Sequence, residues 1–336
     1  MTKDNKPTLV ITTINAPNNI MKELAVGAAR ADWRFIIIGD SKTPPYFHLE
    51  NSEYYNLDAQ RQLGFLYAEL CPIKHYARKN IGYLSAIKLG APLIIETDDD
   101  NIPLPEFFAS RTRDITAQIT KKNGWVNIYQ YFSDENIWPR GLPLEEIKSP
   151  NARDNFDDLP VKLLNCPIQQ GLANDNPDVD AVYRLTQKLP IMFEDNKKII
   201  LNSGSFCPFN SQNTSWWPEA FPLLYLPAYC SFRMTDIWRS FVAMRIAASY
   251  GWGILFHSPT VRQERNEHNL LRDFEEEIPG YLQNNRIMAT LNRLILSDNP
   301  INMNDNIVKC YRALVADGIF EVRELALLEA WLKDLA

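Results

Sequence analysis

Ala91-Pro92-Leu93-Ile94-Ile95-Glu96-Thr97-Asp98-Asp99-Asp100 (residues 91–100) is the stretch on which the fold turns. An apolar, β-prone run ending in three adjacent carboxylates gathers negative charge at the carboxyl end of a strand. Open α/β sheets bind their ligands there. Three like charges this close repel, and each has a raised pKa unless something cationic sits among them. A hard divalent cation, Mn²⁺ or Mg²⁺, takes oxygen ligands and suits such a cluster. The competing reading is a solvated Asx turn opening a loop.

Upstream, Leu9-Val10-Ile11-Thr12-Thr13-Ile14 and Phe35-Ile36-Ile37-Ile38 are continuous runs of the kind found in buried parallel strands. Helical spacing covers 20–29, about 58–70 and 78–89. Strands alternating with helices predict a doubly wound sheet with a Rossmann-like nucleotide-binding half. Beyond the triplet, 107–121 reads as helix, 125–129 as strand, and the Pro-, Asn- and Asp-rich 139–177 as long loops lining a site. Ile199-Ile200-Leu201 and 252–256 are further strands. Thr235 caps a helix running to about Ser249. From Leu270 only helices are expected, over 270–277, 281–296, 304–316 and 321–335. The division that follows is an α/β domain over 1–270 and a helical C-terminal region over 271–336.

The chain's 336 residues, 46% hydrophobic and 23% charged, fit a soluble globular protein with a large core. Its net charge of −6 argues against nonspecific nucleic-acid binding, which needs a basic surface. Five dispersed cysteines contain no Cys-x-x-Cys pair, so buried reduced thiols are expected. No signal peptide and no apolar run of about 18 residues is visible. A cytoplasmic location is therefore expected, with a peripheral membrane role left open.

Four groups of residues have chemical potential. Thr12, Thr13 and Asn15 follow the first strand, and Asp40 and Lys42 follow the second, side by side at the switch point where a nucleoside pocket forms. Neither a dinucleotide Gly-x-Gly-x-x-Gly nor a P-loop accompanies them. Arg78 and Lys79 open a helix and would suit a diphosphate, or form a solvated basic helix start. Asp236, in the first turn of its helix, is a candidate general base or a helix-stabilising carboxylate. His257 ends a strand and either completes a metal sphere or is a satisfied structural histidine. Arg262 and Arg265 either contact phosphates or pair with nearby acids. Leu325, Leu328, Trp331 and Leu332 form an apolar stripe, which is core packing if covered and a homo-oligomer contact if exposed.

Several segments together resemble the STELLO family of glycosyltransferase-like proteins. They are Thr12-Thr13-Ile14-Asn15-Ala16-Pro17, Gly39-Asp40-Ser41-Lys42-Thr43-Pro44, Arg78-Lys79-Asn80-Ile81-Gly82-Tyr83-Leu84 and Asp98-Asp99-Asp100-Asn101. Asp178-Val179-Asp180-Ala181-Val182-Tyr183-Arg184-Leu185-Thr186, Asn210-Ser211-Gln212-Asn213-Thr214, Ala220 to Pro227 and Arg265 to Asn269 continue the likeness. The Asp178 segment is also similar to the reversibly glycosylated polypeptides, a related group acting on UDP-sugars.

The resemblance implies a GT-A fold, a nucleoside-diphosphate sugar donor, a hydroxyl acceptor such as a glycan, and an Asp-x-Asp metal site for Mn²⁺ or Mg²⁺. Asp98 and Asp100 would be its outer carboxylates, with Asp99 on the nucleotide side. Asp40 would hold the nucleoside, and Arg78 and Lys79 the diphosphate. Asp178, Asp180 and Arg184 would line the acceptor or sugar side, unless Asp180 simply anchors a loop. With Asp236 as base, transfer would invert the anomeric centre, in glycan or surface polysaccharide synthesis. Two rivals are a non-catalytic nucleotide-sugar-binding or scaffolding module and a haloacid-dehalogenase-like phosphatase. The latter expects Thr or Val two places after its second Asp, where this chain has Ile102.

Overall fold

The computed structural model describes residues 5–147, 154–264 and 269–336. In chain order the strands are β1 (Thr8–Thr13), β2 (Arg34–Gly39), β3 (Glu53–Tyr55), β4 (Ile94–Thr97), β5 (Asn101–Pro103), β6 (Asp114–Ile119) and β7 (Gly124–Trp125). They continue with β8 (Val161–Asn165), β9 (Ile168–Asn174), β10 (Lys198–Leu201), β11 (Ser205–Phe206), β12 (Asn213–Trp216) and β13 (Ile254–Gln263). The helices are α1 (Asn19–Arg30), α2 (Leu57–Gln62), α3 (Leu66–Leu70), α4 (Lys79–Lys88), α5 (Leu144–Ile147), α6 (Ala181–Thr186), α7 (Thr235–Ser249), α8 (Leu270–Arg293), α9 (Met303–Ala316) and α10 (Glu324–Leu335).

One mixed sheet runs β3-β2-β1-β4-β12-β9-β13-β10-β6-β8, with β5 beside β13. Its first four strands are parallel. This is the expected doubly wound mixed sheet with C-terminal helices, consistent with a GT-A-like α/β fold. The pleat explains the two layers around β1. Leu9 and Ile11 join α1 residues Met21, Leu24 and Ala28 on one face, while Val10 meets α4 on the other. Gly82 lets α4 come that close, since a Cβ there would lie 2.6 Å from Val10 Cγ1.

Several expectations need correction. The helix expected over 107–121 contains β6, whose Ile115, Ala117 and Ile119 alternate inward with period two. The strand expected over 125–129 is reduced to the two residues of β7, followed by a 3₁₀ turn at Ile128–Tyr131. The long loops expected over 139–177 hold β8 and β9. Every residue of β9 is buried, and its glutamines are satisfied: Gln170 Nε2 donates to Asn213 O at 3.1 Å. The two helices expected over 270–296 are one, α8, with Pro279 inside it. The helix expected over 58–70 splits at Gly64, whose φ of 75° favours glycine. Thr235 is the first residue of α7 and makes no side-chain cap.

The C-terminal helices pack onto the sheet domain. Leu328 and Trp331 are buried, and Leu325 and Leu332 lie against the same core, so the apolar stripe is used internally. Asp334 on α10 accepts from the N–H groups of Leu66 and Tyr67, at 3.0 and 2.7 Å. Glu324 is fully buried and accepts from the Tyr225 hydroxyl and from the N–H groups of Ala228 and Tyr229. Burial pushes its pKa from 4.5 up to about 6, against the opposing pull of those donors. The folded state thus holds this proton more tightly than the unfolded chain. Its stabilising contribution is complete below pH 4.5 and falls by roughly 2 kcal/mol as the pH rises to about 6. Glu324→Gln removes the titration. In urea unfolding, the gap between wild type and variant should move by about 2 kcal/mol in the variant's favour from pH 4.5 to 7. A constant gap would refute the assignment.

All five cysteines are free thiols, four of them buried. Among the described residues no helix is long and apolar enough to cross a membrane.

Candidate active site

The carboxyl ends of β1, β2 and β4 open into one cleft of about 870 Å³, within the range of small-molecule sites. Thr12, Thr13, Asn15, Asp40 and Lys42 line one wall, the acidic triplet the floor, and Asp178 and Asp236 the far wall. The parallel order of β1, β2 and β4 brings the first wall and the floor together, because Thr12, Thr13 and Asn15 lie at the end of β1, Asp40 and Lys42 just after β2, and the triplet just after β4.

The three aspartates are held separately, which is how the fold tolerates them. Asp98 Oδ1 accepts from Tyr76 Oη at 2.7 Å and from Lys79 Nζ at 3.1 Å. Burial raises its pKa, and Lys79 and Tyr76 pull it back. Asp99 turns to the loop after β1, where Thr13 Oγ1 (2.5 Å) and Asn15 Nδ2 (3.0 Å) donate to its Oδ2. Asn18 Nδ2 fixes its main-chain oxygen at 2.8 Å. Asp100 receives Gln263 Nε2 at 3.1 and 3.2 Å, from the end of β13. No group of three His, Cys, Asp or Glu forms a closed metal site among the described residues. Asp98 and Asp100 are the two hard carboxylates that would hold an ion in an open site. Mg²⁺-type ions commonly take one or two protein carboxylates and complete their sphere with substrate phosphates and water.

Asp40 sits on the cleft wall with a structural duty. Its Oδ2 accepts from His75 N at 3.0 Å and its Oδ1 from Ser41 N at 2.5 Å, so it ties the loop after β2 to the loop before α4.

Arg78 and Lys79 are not free to grip a diphosphate, and that expectation is corrected. Arg78 is buried, with Nε 2.8 Å from Gln60 Oε1 and Nη1 3.0 Å from Cys71 O. Lys79 has no exposed surface. Its ammonium donates to Tyr76 Oη, Thr97 O, Asp98 and Ser211 O, bracing the floor from beneath.

Asp236 faces the cleft. Its Oδ2 accepts from Arg140 Nη2 at 2.9 Å and from Ser211 N and Oγ at 3.3 Å each. Burial would raise its pKa, but Arg140, with Arg239 and the Ser211 N–H, outweighs that and holds it below the usual carboxylate range. Arg140 also forks onto Asp178, Nε to Oδ1 at 2.8 Å and Nη2 to Oδ2 at 2.9 Å. One guanidinium therefore joins both carboxylates of the far wall.

Three predicted residues lie off the cleft. Asp180 is the helix cap of α6, accepting from Tyr183 N at 2.7 Å and Trp138 Nε1 at 2.9 Å. Arg184 donates to Pro177 O at 2.9 Å. Both serve the α6 turn. His257 pairs across the sheet with Gly171 and Lys198. It stands six residues before Gln263, about 20 Å along the strand at ~3.3 Å per residue. Burial, with Arg111 nearby, pushes its pKa down to about 4, so it is a neutral structural histidine. Arg262 pairs with Asp175 at 3.6 Å, whereas Arg265 to His268 lie outside the described residues.

Arg140, Tyr76, Ser211 and Gln263 are the contacts that sequence reasoning missed as site residues. Tyr76, Ser211 and Gln263 lie inside or beside segments singled out for other residues. Arg140 sits in a Pro-rich loop with no motif around it.

Residues 233–336 match the family model of STELLO glycosyltransferases. The chain is 28% identical over 347 aligned positions to an Arabidopsis thaliana protein named probable glycosyltransferase STELLO1. That match covers 97% of this chain and 44% of the relative. It is 29% identical to probable glycosyltransferase STELLO2 of the same plant, over 90% of this chain and 41% of that one. The chain thus spans less than half the length of these curated relatives. A mycobacterial protein of known crystal structure aligns with 84% of this chain and 76% of its own at 9% identity, with a TM-score of 0.40, too slight a likeness to bear on either fold or function. In its ordered motifs and in these matches the chain is similar to the STELLO glycosyltransferases.

Proposed function

We propose that this chain transfers a sugar from a nucleoside-diphosphate sugar, with UDP-sugars favoured, to a hydroxyl acceptor. The observation carrying this reading is the acidic triplet on the floor of one large cleft, between a strand-end wall and a far wall that holds Asp178 and Asp236. The family similarity supports the same class of reaction.

Thr12, Thr13, Asn15 and Asp40 form the nucleoside wall. Asp98 and Asp100 would hold Mn²⁺ or Mg²⁺, which when bound supplies positive charge for the leaving diphosphate. Asp236 takes the acceptor's proton as the new C1–O bond forms and the bond to the diphosphate breaks. Attack comes from the face opposite the leaving group, so the configuration inverts. Arg140 keeps Asp236 in its accepting, ionised form at neutral pH. The low basicity this imposes puts proton transfer late, when the attacking hydroxyl has become acidic.

The test is a titration of UDP, GDP and CMP and their sugars with and without Mn²⁺, followed by thermal shift, since ligand binding to the folded state raises the melting temperature. Asp100→Ala should weaken Mn²⁺-dependent nucleotide affinity at least about tenfold, the order expected when a charged contact is lost. Unchanged affinity in Mn²⁺ would remove the metal assignment. Tight binding with neither hydrolysis nor transfer would instead indicate a nucleotide-sugar-binding module.

A further inference from the structure

The cleft is lined by eight carboxylates: Asp40, Asp98, Asp99, Asp100, Asp178, Asp236, Asp273 and Glu276. An anionic ligand entering such a field needs cations that are not already committed. Six basic side chains line the same cleft. Four of them are engaged. Arg78 is held by Gln60 and Cys71, and Arg140 by Asp178 and Asp236. Arg233 bonds Glu277 at 2.8 Å, and Arg272 bonds Glu276 at 3.0 Å. Lys42 and Lys74 remain, both exposed and with no ion pair or hydrogen bond among the described residues.

These two lysines are neighbours in structure though distant in sequence. Lys42 lies on the loop that follows β2. Lys74 directly precedes His75, whose N–H is tied to Asp40 Oδ2 at 3.0 Å. Asp40 therefore clasps together the two loops that carry them. Lys74 also has a φ of 59°, in the left-handed region that costs a β-substituted residue energy. A glycine or asparagine would be easier there, yet the position holds a cation at the cleft wall.

We infer that Lys42 and Lys74 form the phosphate grip of this cleft, taking the role expected of Arg78 and Lys79. This inference rests on the proposed nucleoside-diphosphate donor and names the residues that recognise its charge. Ammonium groups act as point charges on phosphate oxygens, and on exposed loops they can follow a diphosphate into place. Asp40 is then the tie that sets their spacing.

The test uses Lys42→Ala, Lys74→Asn and the double variant. Asparagine tolerates the left-handed backbone, so the second substitution removes charge and keeps the loop. UDP, GDP and CDP are titrated calorimetrically with Mn²⁺ into wild type, and the tightest binder is compared with its nucleoside and with inorganic pyrophosphate. Each single variant should weaken the nucleoside diphosphate about tenfold and leave the nucleoside within twofold. Unchanged diphosphate affinity in the double variant overturns the inference, as does an equal loss for the nucleoside. If wild type binds none of the three diphosphates, the donor reading fails. Pyrophosphate then decides the lysines alone: binding to wild type and not to the double variant sustains the grip, and any other result ends it.

Discussion

Replacing Arg239 with Met should destabilise the fold by about 3–5 kcal/mol, the cost of leaving a buried charge without its partner. Arg239 and Glu96 are both within 1% of complete burial. Two parallel bonds join them, Nη1 to Oε2 at 3.0 Å and Nη2 to Oε1 at 2.8 Å. Trp216 Nε1 and the Tyr83 hydroxyl also donate to Glu96, and the guanidinium lies 4.9 Å from the Trp216 ring. Met fills much of the arginine's volume but leaves the carboxylate with two neutral donors. Adding Glu96→Gln to Arg239→Met should recover most of the loss, because a neutral amide does not need a counter-charge. Urea unfolding of the single and double variants measures both. A single variant within 1 kcal/mol of wild type, on the order of an exposed pair, would contradict this account. The pair also bears on the site, since Glu96 lies two residues before Asp98 on the strand that ends in the triplet. Nucleotide affinity should therefore fall in the single variant along with stability.

The first hundred residues were legible because their signals are local. Continuous β-branched runs with apolar helices between them leave few topologies open, and β1, β2, β4, α1 and α4 all form as expected. The central strand β9 was not legible. Its Gln169, Gln170 and Asn174 read as loop residues until the folded chain supplies their partners, for example Thr214 Oγ1 of β12 at 3.1 Å from Gln170 Oε1. A polar strand is stable there because these amides are satisfied by residues distant in sequence, Thr112 for Gln169, Asn213 and Thr214 for Gln170 and Phe193 for Asn174, and no sequence window sees that. β6 was missed for a different reason: one turn of helical-looking spacing at 107–111 masked the period-two pattern that follows.

The candidate site divides along the same line. The triplet and the strand-end residues could be read from sequence because position after a strand is itself the signal. Partner choice could not. Arg78 and Lys79 look like an anion site as a pair, and only the packing of α4, buried over Lys79–Ala86, shows that both cations are used internally. Asp178, Asp180 and Arg184 are close together in sequence, yet only Asp178 reaches the cleft. The cap geometry of α6 turns Asp180 inward.

Arg140 should show its role most clearly through pH. Replacing it with Gln leaves Asp236 and Asp178, both largely buried, without their shared counter-charge, at a cost of about 3–5 kcal/mol near pH 7. In wild type Asp236 has a lowered pKa, so its stabilising contribution is present above the ordinary carboxylate value and is lost as the pH falls through the folded value. The variant lacks that contribution, and burial alone then raises the pKa of Asp236, so acid relieves the unpaired charge by protonating it. The deficit relative to wild type should therefore be largest at neutral pH and shrink toward pH 4. Arg140→Lys should recover only part of it, since a single ammonium cannot reproduce the fork onto Asp178 together with the bond to Asp236. Activity should follow the same sign. If Asp236 must be ionised to take the acceptor's proton, the acid limb of donor turnover moves to higher pH in Arg140→Gln. Urea unfolding at pH 7 and pH 4, with a pH profile of donor hydrolysis, measures both. An equal deficit at the two pH values would mean that Arg140 acts through packing and not through the charge of Asp236.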